Sequence, residues 1–454
     1  VKILFLTDPD WNHGSIAFYT SLSLLLGHEN VIDLPYKPSL HGSLLDSKYS
    51  PLIRRFYLEC YPDNPHFPDQ NYSPSFMDSV IMGSRINHPI WHWARLIPPH
   101  LDIGYLSDIK HSDLWDILLE REMSILANID EFDVIFVPPR WIPLWILGEI
   151  QKNNSKIPPI VIMDHDDTSC IGIYVGALNH IYHYCDIDLK NIIMYIKFQA
   201  CRGSKWSKYF DDQIIYPTLM PCPISEIWDY EQRYPFAFLE DRRFGIKGDL
   251  NDKWESKIYD LQYRKALVRW ERLFVHKAVD ILRNTTDLEI RSGFEWGSFN
   301  PYDFEITNKI DLGKPGLLRP SGKGLRFDNG MLGYWDYFEE LTKSKISIDC
   351  TGHASEKTYG TGFQFTEVAA NSLLLSNHRD NIYEHPLIDG EHCIYFDFEN
   401  PNDVIDKVKY FNKNDNEAKE ISENAKKFVK KYHSLVPWAQ RIMGRLEELK
   451  NNHV

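Results

Sequence analysis

The run Tyr359-Gly360-Thr361-Gly362-Phe363-Gln364-Phe365-Thr366-Glu367 holds two closely spaced glycines and then a carboxylate. Glycines at 360 and 362 let backbone N–H groups approach a ligand closely. A helix opening beside them favours negative charge at its N-terminus. Phe363 and Thr361 complete the turn, and Glu367, one turn into the helix, is placed to accept hydrogen bonds from a sugar diol such as that of ribose. A simple tight turn would look the same, so these residues alone leave both readings open. Upstream, Arg319, Lys323 and Arg326 lie among Pro320, Ser321, Gly322 and Gly324. That composition suits a loop that closes over phosphates, or equally a solvated basic loop. Arg291, expected directly after a strand at 288–290, would stand at a strand end where open α/β sheets bind ligands.

The first half offers a different chemistry. Asp164-His165-Asp166-Asp167 follows the apolar run Ile160-Val161-Ile162-Met163 and forms a dense polar cluster at a strand end. His165 and Asp166 are the candidate catalytic bases, with capping of a following helix as the structural alternative. Asp164-x-Asp166 imitates a metal signature, but side chains on consecutive positions diverge, and no metal is expected. Gly14, between His13 and Ser15, follows the first strand and is a candidate for approach to a ligand. Arg85 and His88 carry less weight, and His180 and His183 share a helical face without a third ligand.

The elements that must position these residues alternate strand and helix. Ile3–Leu6 reads as a buried parallel strand, 16–26 as a helix ended by Gly27, and 31–34 as a second strand. This is a βαβ opening. A Pro-, Tyr- and Ser-rich stretch at about 35–110 reads as an insertion. A helix at 113–129, strands at 132–137 and 160–163, and a further element at 191–197 that leads through 213–219 complete the first half. The pattern turns mixed and charged over 230–262, which suggests a boundary. A helix at 265–282, strands at 288–290 and 346–349, a helix at 366–371 and strands at 373–375 and 393–396 follow. Apolar stripes then mark helices at 404–408, 421–432 and, beyond Pro437, 438–449.

The expected fold class is therefore α/β, with two Rossmann-like domains. Residues 1–235 form the first domain with its insertion, 236–262 the linker and 263–435 the second domain. The helix 436–454 is expected to pack back toward the first domain. A chain of 454 residues is long enough for two such cores. Its formal net charge of −14 argues against general nucleic-acid binding, which needs a concentrated basic surface. Seven scattered cysteines without a CxxC are read as reduced thiols. The chain shows no signal-peptide pattern and no apolar run long enough to span a membrane. The expected compartment is the cytoplasm, with peripheral membrane contact left open.

In order, these C-terminal features resemble those of GT-B glycosyltransferases, in particular the group 1 and spore-maturation-type class. That family shows a Glu, a Gly-Phe-Gly, a second Glu eight positions after the first, and then Ala-x-x-Gly before a strand. Gly362 and Glu367 match the glycine and the second Glu, and Asp389-Gly390 resembles a later turn of the family. Two positions depart: Tyr359 stands where the first Glu would be, and Ser372 replaces the glycine. The resemblance implies two domains facing a central cleft. It also implies a UDP- or GDP-sugar as donor substrate, and a glycan or small-molecule hydroxyl as acceptor. No tightly bound cofactor is implied. Glu367 would hold the donor ribose, and the backbone of 360–366 the diphosphate. The missing carboxylate leaves retention or inversion open. A sugar-nucleotide epimerase and a silent nucleotide- or carbohydrate-binding scaffold are the alternatives.

Overall fold

The computed structural model describes residues 1–7, 13–36, 52, 55, 111–164, 187–188, 190–198, 214–219, 221, 253–266, 270–295, 341–350, 369, 371–377, 383–397 and 400–452. In the first half, β1 (Ile3–Leu6), α1 (His13–Leu26), β2 (Val31–Leu34), α2 (His111–Ala127), β3 (Val134–Val137) and α3 (Trp141–Asn153) are followed by β4 (Ile160–Asp164), β5 (Ile192–Lys197) and β6 (Ile215–Pro217). The six strands form one parallel sheet in the order β2-β1-β3-β4-β5-β6. β1, β3 and β4 are buried at every position. That is why they read as continuous apolar runs rather than alternating ones.

The second half holds β7 (Tyr259–Ala266), α4 (Trp270–Thr285), β8 (Ile290–Glu295), β9 (Ser344–Asp349), β10 (Leu373–Asn377) and β11 (Ile394–Phe396). Three helices close the chain: α5 (Pro401–Lys413), α6 (Asp415–Tyr432) and α7 (Leu435–Asn452). The second sheet is also parallel, in the order β11-β10-β9-β7-β8. Each sheet reverses direction of growth once, at β1/β3 and at β7/β9. The carboxyl ends of strands at such switch points are where open α/β sheets bind ligands. The expected α/β architecture with two parallel sheets is the one observed.

Two elements differ from the sequence expectation. A strand occupies Tyr259–Ala266, where a linker and the start of a helix were expected, and the helix begins at Trp270. The strand is central, yet it carries Asp260, Gln262, Arg264 and Lys265, which hide its burial. Gln262 is buried, and its Oε1 lies 3.2 Å from the Ser344 hydroxyl that donates to it. Strand β8 begins at Ile290 rather than ending there, which moves Arg291 to the opposite edge of the sheet from the one expected.

The core is continuous between the halves. Val275, Val279 and Leu282 of α4 and Val404 and Val408 of α5 pack with Ile346, Leu373 and Leu375 of the second sheet. Leu374, Cys393, and Ala425 and Val429 of α6 join the core of the first sheet. α7 carries that junction. Trp438 is buried and stacks on Phe18 of α1, ring centroids 4.9 Å apart, with Phe198 at 6.5 Å. Pro437 falls in the first turn of α7, where a helix needs no proline N–H. Among the described residues, no helix is long and apolar enough to cross a membrane.

Candidate active site

At the carboxyl edge of the first sheet, Asp164 closes β4 and Lys197 closes β5, and the two are register partners. Both are fully buried, with Lys197 Nζ 3.0 Å from Asp164 Oδ1. The buried Tyr195 hydroxyl donates to Asp164 Oδ2. Burial of these charges is tolerable because each faces its opposite at contact distance. The cluster immediately precedes His165 and Asp166, which lie outside the described residues. Gly14 is the second residue of α1, in the turn that opens beside the carboxyl end of β1. Thr7, just past β1, donates through its hydroxyl to Pro35 O at 2.7 Å and through its N–H to Leu34 O at 2.8 Å.

The same edge anchors the ends of the segment 37–51. The buried Glu122 of α2 accepts from the Tyr36 N–H and the Leu52 N–H, both at 3.1 Å. The neighbouring Arg121 bonds Asp33 Oδ1 at 2.6 Å and lies over the Tyr36 ring. A single carboxylate therefore holds the backbone on both sides of that segment. A cavity of about 390 Å³, lined by Leu52, Arg55, Trp145 and Glu149 among others, lies lower on this domain between α2 and α3.

In the second sheet, β9 ends at Asp349 and runs into the stretch that contains residues 360–367. Ser376 of β10 donates to Asp349 O at 2.7 Å, and Tyr263 of β7 lies 3.7 Å from Cys350 Sγ. Ser372, one of the two departures from the family pattern, is fully buried just before β10. Its hydroxyl lies 2.9 Å from Leu341 O and 3.0 Å from Ser344 O, and it accepts from Ser347 at 3.0 Å. The departure thus has a local reason: the hydroxyl ties the chain entering β10 to the chain entering β9.

Of the candidate ligand residues in this half, only Arg291 is described, and its position is a correction. It is the second residue of β8, its guanidinium donates to the Tyr259 hydroxyl at 2.8 Å, and it lies over that ring. Both residues sit at the amino edge of the sheet, away from the strand ends that face ligands. Arg319, Lys323, Gly360, Thr361, Gly362, Phe363 and Glu367 lie outside the described residues. Lys197, Tyr195 and Glu122 were not singled out from the sequence. Lys197 is visible there as the polar end of an apolar strand, but its pairing with Asp164 becomes apparent only from the strand register.

Two parallel doubly wound sheets with a C-terminal helix packed back on the first define the GT-B class. Residues 316–444 match the family model described as glycosyl transferase-like. The chain thus has the GT-B fold. Its fold is similar to that of HepE from Anabaena, solved in complex with UDP-glucose. That likeness has a TM-score of 0.50, with 11% identity, 98% of this chain and 99% of that one covered. It is similar to sucrose-phosphate synthase from Thermosynechococcus elongatus too, again with a TM-score of 0.50 and 11% identity, over 100% of both chains. None of the curated proteins matches the sequence.

Proposed function

We propose that the protein transfers a sugar from a nucleoside-diphosphate sugar, with UDP as the leaving nucleotide, to a hydroxyl of a glycan or small acceptor. The observation that carries this is the glycosyl transferase-like match over 316–444. That span includes Arg319, Lys323 and the whole 360–367 run. HepE, of the same fold, is solved with UDP-glucose and with UDP and glucose.

On this reading Glu367 holds the ribose hydroxyls. Backbone N–H groups of 360–366, with Arg319 and Lys323, meet the diphosphate. Positive charge there stabilises the leaving group as the bond from the anomeric carbon to the β-phosphate oxygen breaks. The acceptor oxygen forms the new bond to that carbon and gives up its proton, to His165 or Asp166 if the reaction inverts. Gly14, at the start of α1, lets backbone approach the donor phosphates or the acceptor. Enclosure between the two domains excludes water and suppresses donor hydrolysis.

Calorimetric titration with UDP, GDP and CMP tests the donor, followed by product analysis with UDP-glucose and a panel of saccharide acceptors. Binding should favour UDP, and the donor should turn over only when an acceptor is present. Glu367→Ala should weaken UDP binding by roughly tenfold or more, the loss of charge-assisted hydrogen bonds to the ribose. An unchanged UDP affinity in that variant would remove Glu367 from the donor site. Interconversion of the donor sugar without acceptor would replace transfer with epimerisation.

A further inference from the structure

Lys257 follows a short turn at Trp254–Ser256, with Ile258 between it and the start of β7. Its side chain is buried, and Nζ donates to two backbone carbonyls: Thr342 O at 2.7 Å and Asn371 O at 2.6 Å. Thr342 is the last helical residue before β9, and Asn371 is helical shortly before β10. The last carbonyls of a helix lack intrahelical partners, and a cation or strong donor placed there is favourable. Here one amine serves two helix ends at once.

Those two carbonyls bound one continuous stretch of chain. From Thr342 it runs through β9, past residues 351–368, and returns at Asn371. Everything expected to touch the donor from 360 to 367 lies between the two bonds. Glu367 precedes Asn371 by four residues in the chain. Lys257 sits at the amino edge of the sheet and does not reach the ligand itself.

The turn that carries Lys257 is fixed in its own right. Trp254 Nε1 donates to Asp415 Oδ2 at 2.9 Å, and Lys345 reaches Asp415 Oδ1 at 2.7 Å. Lys419 of α6 pairs with Glu255 at 2.5 Å, and the Trp254 ring lies 5.9 Å from Lys257 Nζ. Burial pushes the Lys257 ammonium down to about 7. An apolar side chain would fill the same space without that cost, so the two carbonyls are what the amine answers to.

We propose that Lys257 is a positioning residue for the donor site, holding both ends of the 342–371 segment so that its ligand-binding residues keep a fixed geometry. This rests on the donor-site reading above. Displacement of such a segment by an ångström weakens binding without removing any ligand contact, and losses of tenfold to a hundredfold are typical in order of magnitude.

The test uses the full chain with UDP and UDP-glucose as probes. In Lys257→Met, the UDP Kd and the donor KM should both rise roughly tenfold, with kcat changed much less. Lys257→Arg, which keeps donors in reach of both carbonyls, should recover most of the affinity. A lowered Tm in Lys257→Met with an unchanged UDP Kd would make the residue merely structural and overturn the proposal. Should that variant fail to fold, Lys257→Gln, with its amide N–H groups, serves for the same measurement. Glu367→Ala separates the two ideas. Weakened UDP binding there but not in Lys257→Met overturns only the role of Lys257, whereas no effect of Glu367→Ala overturns the donor-site reading itself.

Discussion

Glu122 in the first half and Lys257 in the second solve the same problem with opposite polarity. Each is a buried, chargeable side chain that holds two backbone groups far apart in sequence. Glu122 accepts from Tyr36 N and Leu52 N, and Lys257 donates to Thr342 O and Asn371 O. The difference lies in what each needs. Two N–H groups converging on one side chain call for two acceptor oxygens, which a carboxylate supplies and an amide does not. Two carbonyls call only for two N–H groups, and a neutral amine has those as well as an ammonium. The clamp at 36–52 therefore depends on the carboxylate itself, while the clamp at 342–371 tolerates loss of charge.

The largest effect expected from this contrast is at Glu122. Glu122→Gln turns one acceptor into a donor that faces a backbone N–H. It should cost about 3 kcal/mol, since hydrogen bonds to a charged group are the strong ones and a buried N–H is left unpaired. Urea denaturation measures this. A loss under about 1 kcal/mol would mean that the carboxylate is not the clamp. Because Glu122 holds the backbone at Tyr36 and Leu52 in the first half, UDP affinity should stay within about twofold. Under the proposed function, any kinetic defect should appear in the acceptor KM.

Lys257→Met should cost less, about 2 kcal/mol, because two neutral carbonyls lose their partner. Lys257→Gln should recover about half of that. A Met variant as destabilised as Glu122→Gln would mean that the Lys257 charge matters after all, and the contrast between the clamps would fail.

Much of the scaffold for these clamps was legible in the sequence, and the clamps were not. β1, β3 and β4 announce themselves because each is buried on both faces, so every residue but Asp164 at the end of β4 is apolar. β7 is equally central, but Gln262 answers Ser344 across the sheet, and its neighbours Asp260 and Arg264 break the apolar run. Arg291 is expected at a strand end because Leu288-Glu289-Ile290 reads as a short strand; the strand in fact starts at Ile290 and continues through Ser292 and Gly293. Glu122 meets partners 86 and 70 residues away, and Lys257 meets partners 85 and 114 residues away. Contacts at such separations depend on which helix lands beside which strand, and residue type at one position carries no trace of it. The glycines and carboxylate of 360–367 could be noticed because their spacing is local. Lys257, which brackets them, has no local pattern at all.

The smallest effect is also the sharpest discriminator, because it reads the Lys257 charge directly. Its amine is held down to about 7 by burial, against an ordinary lysine near 10.4 in the unfolded chain. Between those values the unfolded chain carries the proton and the folded one does not, so this group makes folding more favourable as pH rises. Below about 7 both states are protonated, and the penalty for burying the charge is present in full. Lys257→Met lacks the titration, so the stability gap between wild type and variant should widen with pH, by about 1 kcal/mol between pH 7 and 8. Comparing the two proteins cancels every other ionising group to first order. Urea melts of both at several pH values measure the gap. A gap that narrows as pH rises would show that the two helix ends require the ammonium, and would align Lys257 with Glu122 as a clamp that works through charge.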